Sequence, residues 1–229
     1  MIENRGLVIF DLDGTLFQSL GAIVPAVRRA FREIGLPQPN ENEILYFIGR
    51  PVREFHTWLG AHCAAESASR LAATIDRYEL DYIGERAGLF PGALEALTEI
   101  RGFVGQMALC SNGYPAYVER VLHEHNLRRF FDRIRYPQAV GETKMLMVRE
   151  LLGKLEARPG VMVGDRRDDI EAAHWNGLTA VAARYGYGSA DELSTADAVV
   201  TTAAQLPGVV RSLQRKQADP HSPALGAQV

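Results

Sequence analysis

Leu7-Val8-Ile9-Phe10-Asp11-Leu12-Asp13-Gly14-Thr15-Leu16 passes from an unbroken apolar run into two acids, a glycine and a threonine. An apolar run without polar alternation reads as a strand covered on both faces, and equally as a fragment of buried helix. Recurrence decides between them. Similar runs stand at Met107-Ala108-Leu109-Cys110, Val161-Met162-Val163 and Thr179-Ala180-Val181-Ala182, with a weaker one at Ala198-Val199-Val200. Amphipathic stretches at 92–100, 116–125, 144–155 and 168–176 separate them. Strands alternating with helices imply right-handed crossovers and a mostly parallel sheet. The expected fold class is α/β, with a Rossmann-like parallel sheet at its core.

The stretch 17–88 breaks that rhythm. Ile23, Val27, Ala30, Phe31 and Ile34 form a helical stripe, and Gly35 suits the position just past its end. Further helical patterns follow at 41–48 and 66–83, with no convincing strand among them. Pro91-Gly92 marks the return to the alternating pattern. The expected organisation is therefore an α/β core over 1–16 and 89–215, an inserted helical domain over 17–88, and a mobile tail over 216–229.

Of the 229 residues, 47% are hydrophobic and 23% charged, an ordinary globular balance with length enough for a sizeable core. Lys+Arg 25 against Asp+Glu 28 leaves a net charge of −3, which lacks the basic surplus of a non-specific nucleic-acid binder. No apolar stretch approaches the ~20 residues of a membrane span, and no signal-peptide pattern opens the chain. Two cysteines, Cys63 and Cys110, make no disulfide framework, so a cytoplasmic setting is expected. Lysine occurs only at Lys144, Lys154 and Lys216, every other fixed cation being arginine.

Ligands of open parallel sheets bind at the carboxyl ends of the strands, so the residues just past each apolar run carry the chemistry. After the first come Asp11 and Asp13; after the second, Ser111-Asn112-Gly113; after the Val161 run, Gly164-Asp165 with Asp168 and Asp169 close behind. Lys144 opens a predicted helix. Gathered carboxylates call for a hard divalent cation such as Mg2+, and a phosphoryl group would bridge that cation and Lys144, Ser111 and loop N–H groups. There is no Gly-x-x-x-x-Gly-Lys-Ser/Thr loop for a nucleoside triphosphate. Asp168 reads as a helix-start acid, Cys110 as a core residue, and His123 and His125, two apart on a helix, do not face each other.

Asp-Leu-Asp-Gly-Thr-Leu, the serine after the second strand, the lysine, and Gly164-Asp165-x-x-x-Asp169 in that order resemble the haloacid dehalogenase (HAD) superfamily. The helical insertion directly after the first motif is similar to its phosphoglycolate phosphatase-like branch, where the insert is a cap. The resemblance implies a phosphatase acting on a small phosphorylated metabolite through an aspartyl-phosphate. Carried over, Asp11 would be the nucleophile and Asp13 the general acid–base. Asp11, the Asp13 backbone carbonyl and Asp165 would hold Mg2+. Ser111, the Asn112 N–H and Lys144 would bind phosphoryl oxygens, and Asp169 would orient Lys144 or a metal-bound water. Arg50 and Arg53 lie where caps of this branch often touch substrate.

Two departures stand out. Many relatives carry Asp where Gln18 stands, and Ser or Thr where Arg166 stands. Gln18 is expected to touch only the cap hinge, whereas Arg166 adds charge beside a metal ligand and loosens any inherited substrate preference. Within the superfamily, retention of Asp13 argues against carbon–halogen cleavage, and a cap without lysine excludes the Schiff-base phosphonate route. A sugar phosphomutase shares the Asp11 and Asp13 chemistry and is the alternative; a catalytically silent binding module is the third reading.

Overall fold

The computed structural model describes residues 6–218, residues 140 and 158 excepted. Its strands are β1 (Leu7–Phe10), β2 (Gln106–Cys110), β3 (Arg133–Arg135), β4 (Gly160–Gly164), β5 (Thr179–Ala183) and β6 (Ala198–Val200). They form one parallel sheet in the order β3-β2-β1-β4-β5-β6. The chain is an α/β protein, and the order reverses direction at β1. The β1 run is apolar at every position because both faces are covered. Val8 and Phe10 enter one core and Leu7 and Ile9 the other, and β4 divides the same way into Val161 and Val163 against Met162. Each fully buried side chain of this size contributes about 1.5–3 kcal/mol.

Nine α-helices are present among the described residues. The first four follow β1 directly: α1 (Leu20–Glu33), α2 (Glu41–Leu45), α3 (Val52–His62) and α4 (Ala65–Arg86). The stripe read on α1 buries Val27, Ala30 and Phe31, and Gly35 takes the left-handed φ of +75° just beyond its end. Asn40 caps α2 through a reciprocal pair of bonds with Glu43. Helix α3 has no counterpart in the sequence reading. It is fixed by an aromatic stack in which Trp58 lies against Phe31, Phe47 and Phe55 at 5.2–5.7 Å between centroids.

The remaining helices cover the sheet: α5 (Ala93–Arg101), α6 (Pro115–Glu124), α7 (Lys144–Lys154), α8 (Arg167–Trp175) and α9 (Leu206–Ala218). Helix α9 runs past the expected start of the tail at 216, so the tail expectation is corrected there; 219–229 lie outside the described residues. The two chain crossings into and out of α1–α4 are tied to each other. Phe17 bridges Leu89, the Gln18 N–H donates to the Gly88 carbonyl at 2.8 Å, and the Gln18 side chain donates to Leu89 at 2.9 Å. Gln18 thus lies at the crossing and supplies two of its bonds. No helix of the described residues is long and apolar enough to cross a membrane.

Candidate active site

Parallel register aligns the strand ends. Phe10 lies opposite Leu109 on β2 and Val163 on β4, so Asp11, Ser111 and Asp165 leave the same edge of three adjacent strands. This is the edge where the strand order reverses, the usual ligand position in such sheets. The Asp11 N–H donates to the Val163 carbonyl at 2.9 Å, which locks the first residue past β1 to its neighbour.

Lys144 begins α7, behind Thr143, whose hydroxyl accepts from the Leu146 N–H. Its side chain is 1% exposed, and its Nζ donates to Asp11 Oδ1 and to Asp169 Oδ1, each at 2.7 Å. Burial disfavours the ammonium, but Asp11 and Asp169 outweigh it and hold the proton well above the ordinary lysine range. Asp169 and Lys144 are thus in direct contact.

Asp11, Asp165 and Asp169 each bring a carboxylate oxygen within 4.8 Å of the others, all three buried. Asp169 is already engaged, Oδ1 by Lys144 and Oδ2 by the Arg166 N–H at 3.0 Å. Asp11 Oδ2, by contrast, is buried with no hydrogen-bond partner among the described residues. Burial, and then the neighbouring acids, push the Asp11 carboxyl up, against the pull of Lys144. Desolvation and Asp169 raise Asp165 to about 7. An orphaned carboxylate oxygen among buried acids, with an all-oxygen donor set, fits a hard divalent cation.

The raised carboxyl sets a pH dependence. A folded-state value above the unfolded one means that the folded chain binds the extra proton, so stability falls as pH rises from about 4 to about 7. In EDTA the melting temperature is expected to be lower at pH 7.5 than at pH 5.5. Added Mg2+ should recover more at pH 7.5, and equal recovery at both would contradict the assignment.

The loop after β5, Tyr185-Gly186-Tyr187-Gly188, wraps Asp165 so closely that Gly186 and Gly188 have no room for a Cβ. The Tyr187 N–H donates to Asp165 Oδ2 at 2.6 Å, and a Cβ on Gly188 would lie 1.8 Å from the Asp165 carbonyl oxygen. Across the site, a Cβ on Gly14 would lie 2.1 Å from Asp165 Oδ2. Because the Gly188 neighbour is backbone, Gly188→Ala is expected to cost about 1–3 kcal/mol in thermal or urea unfolding and to displace Asp165. Near-wild-type stability would contradict the close approach.

Asp13 is buried beside the cluster rather than in it. Its Oδ1 accepts a short bond from the Tyr117 hydroxyl, and burial lifts its carboxyl above the usual range with Tyr117 partly offsetting the rise. Ser111 is fully buried, and its Oγ accepts from the Gly113 N–H at 2.9 Å. The Asn112 side chain donates to the Gly49 carbonyl at 3.0 Å and, at 3.5 Å, to Asp168. Arg50 lines the cavity above Asp13 but is held by Glu192 at 2.8 Å. Arg53 is exposed and lines a separate depression with Glu142, Lys144 and Asp168.

Over residues 8–183 the sequence matches the family model described as haloacid dehalogenase-like hydrolase. The chain belongs to that family. Tyrosine-protein kinase PtkA of Mycobacterium tuberculosis is 32% identical over 212 residues, 89% of this chain and 71% of that protein. A phosphoglycolate phosphatase of Pectobacterium atrosepticum is 29% identical over 211 residues, 86% of this chain and 88% of that protein. Among solved structures, a haloacid dehalogenase-like family hydrolase from Streptococcus pneumoniae superposes with a TM-score of 0.79 at 21% identity, covering 93% of this chain and all of that one. That likeness is one of fold. The chain is a hydrolase of this family.

Other residues of this hydrolase's site escaped the sequence reading. Tyr117 and the Gly186–Gly188 loop are among them, although Tyr-Gly-Tyr-Gly one residue past an apolar strand run is a readable sign of close backbone approach. Arg166 is buried and does not point its charge into open space. Its guanidinium donates to the Ile48 and Leu45 carbonyls, each at 2.9 Å, and to Glu192 at 3.2 Å. It bolts the end of β4 to the helical segment. Cys110 is a core residue whose thiol burial pushes up to about 12.

Proposed function

We propose that this chain is a Mg2+-dependent phosphomonoesterase that hydrolyses a small phosphorylated metabolite through an aspartyl-phosphate on Asp11. The observation that carries the reading is the buried Lys144 ammonium between Asp11 and Asp169. A fixed cation against the carboxylate at the end of β1 is what a phosphoryl oxygen approaching that carboxylate requires. Asp11, Asp165 and the Asp13 carbonyl would hold Mg2+, which when bound neutralises the gathered charge and polarises the phosphoryl group.

Asp11 then attacks phosphorus and the ester oxygen leaves. Asp13, whose carboxyl burial shifts upward toward its acid form and which Tyr117 orients, gives a proton to that oxygen, and as the base it later takes one from the water that cleaves the acyl phosphate. Ser111, the Asn112 N–H and Lys144 bind the phosphoryl oxygens, while Asp169 keeps Lys144 in position. The helices α1–α4 serve as a cap, drawn over the site by the Arg166 and Asn112 bonds to Leu45, Ile48 and Gly49, and exclude bulk water. Free thiols at Cys63 and Cys110 suit a cytoplasmic setting.

The test is phosphate release from small esters, phosphoglycolate and sugar phosphates included, with Mg2+ and with EDTA, using Asp11→Asn as the blank. Metal-dependent release from one or a few compounds is the expected result. A folded protein that releases none would overturn the reading. The Mycobacterium relative's name motivates one further arm, transfer of phosphate from ATP to protein tyrosine, and phosphomutase names among proteins of the same fold motivate a sugar-phosphate isomerisation arm.

A further inference from the structure

The cavity above Asp13, about 90 Å³, carries an acidic wall that the reaction itself does not use. Glu79 on α4 lines it, is 7% exposed, and has no ion-pair partner among the described residues. Its one hydrogen bond there is from the Tyr114 hydroxyl to Oε2 at 3.3 Å, and that hydroxyl also reaches the Asp76 carbonyl at 3.4 Å. Asp76 lies three residues earlier on the same helix face and lines the same cavity. Buried carboxyls are ordinarily paired with a cation, and one left unpaired in a cavity that opens onto a catalytic group is a recognition element.

The cations around the cavity form no ion pair with Glu79 among the described residues. Arg50 is drawn to Glu192 at 2.8 Å and stacks 4.2 Å from the centroid of the Tyr46 ring, and its Nε is buried with no hydrogen-bond partner among the described residues. His56 is exposed, beside Asp76. The rest of the lining is largely apolar, with Ile23, Ile44, Phe47 and Phe55 on it. Burial, then Asp13 and Asp76, push the Glu79 carboxyl well up, and a cation bound beside it would pull it back down.

We infer that this cavity receives the non-phosphate end of the substrate and that this end carries an ammonium group, which Glu79 and Asp76 pair. The inference rests on the phosphatase reading above and narrows its substrate class. An ammonium offers three donors, enough for the Glu79 carboxylate, the Asp76 carboxylate and the Tyr114 oxygen. A carboxylate at the same place adds an anion beside Glu79 and Asp76, so the ester for which the Pectobacterium relative is named is expected to be a poorer substrate than the ammonium ester.

Three esters of similar size separate the cases: phosphoethanolamine, phosphoglycolate and the neutral 2-hydroxyethyl phosphate, assayed with Mg2+ at pH 7.5. For the wild-type chain kcat/KM is expected to be at least about tenfold higher for phosphoethanolamine than for the neutral ester, and lowest for phosphoglycolate. Glu79→Gln should collapse the ammonium-to-neutral ratio by about tenfold, and Glu79→Asp should retain part of it. Equal or better turnover of phosphoglycolate by the wild type, or an unchanged ratio in a folded Glu79→Gln protein, overturns the inference. If neither variant folds, the wild-type ranking decides it. Should no ester release phosphate, the phosphatase reading fails separately. Calorimetric binding of the same three esters then decides the subsite: phosphoethanolamine tightest supports it, and equal affinities reject it.

Discussion

Asp11→Asn is expected to lower kcat by on the order of 10⁴ or more in the phosphate-release assay while leaving the circular dichroism spectrum and cooperative unfolding in place. The substitution removes the nucleophilic carboxylate and keeps its shape. The local electrostatics explain why the fold survives. Lys144 retains its 2.7 Å bond to Asp169, and an amide oxygen at position 11 can still accept from the ammonium. Loss of one buried negative charge beside Asp165 and Asp169 also relieves the repulsion that raises the Asp11 carboxyl. A melting temperature within a few degrees of wild type, with activity gone, is the expected pair of results. Full retained activity would remove Asp11 from the mechanism.

Lys144→Met should act in the opposite proportion, costing fold as well as function. Methionine matches the stem and deletes the ammonium, leaving Asp11, Asp165 and Asp169 together in a buried site with no cation contacting Asp11 and Asp169. Removing one partner of a buried ion pair costs about 3–5 kcal/mol. For a chain of this length that corresponds to a melting temperature lower by roughly 10 °C. Turnover should fall on the order of 10³, the scale for loss of a charge-stabilising donor. Lys144→Arg distinguishes charge from shape: a guanidinium restores the charge but does not fit an enclosed slot shared by two carboxylates at 2.7 Å. Stability should return in part and activity should not. Wild-type turnover in Lys144→Met would contradict its place beside the phosphoryl group.

Five of the six strands are readable as apolar runs; β1, β2, β4 and β5 are covered on both faces, which admits little else, while β6 is a half-exposed edge strand. β3 is not: Arg133-Ile134-Arg135 is a three-residue edge strand whose Arg135 is buried against Glu142 and Glu150, each at 2.8 Å. No run of apolar residues announces it. α3 and α9 carry helical spacing, Val52, Phe55, Leu59 in one and Leu206, Val209, Val210, Leu213 in the other. The polar residues and Gly60 in α3, and Pro207-Gly208 in the first turn of α9, weaken those patterns below what local preference alone can decide.

What the sequence by itself determined was everything with a local period or a local order: the alternating strands and helices, the helical insertion after the first strand, and the acids, serine and lysine waiting at strand and helix ends. What only the tertiary structure decided was which of those groups meet, and what surrounds them. Lys144 is 133 residues from Asp11, Tyr117 104 from Asp13, and Arg166 118 from Ile48. Glu79 is one acid among many on α4 until folding turns it into the cavity above Asp13. The physical reason is the range of the two kinds of information. Periodicity records which face of an element is buried, whereas a bond between side chains that far apart depends on how whole elements pack, and no short stretch of sequence contains that.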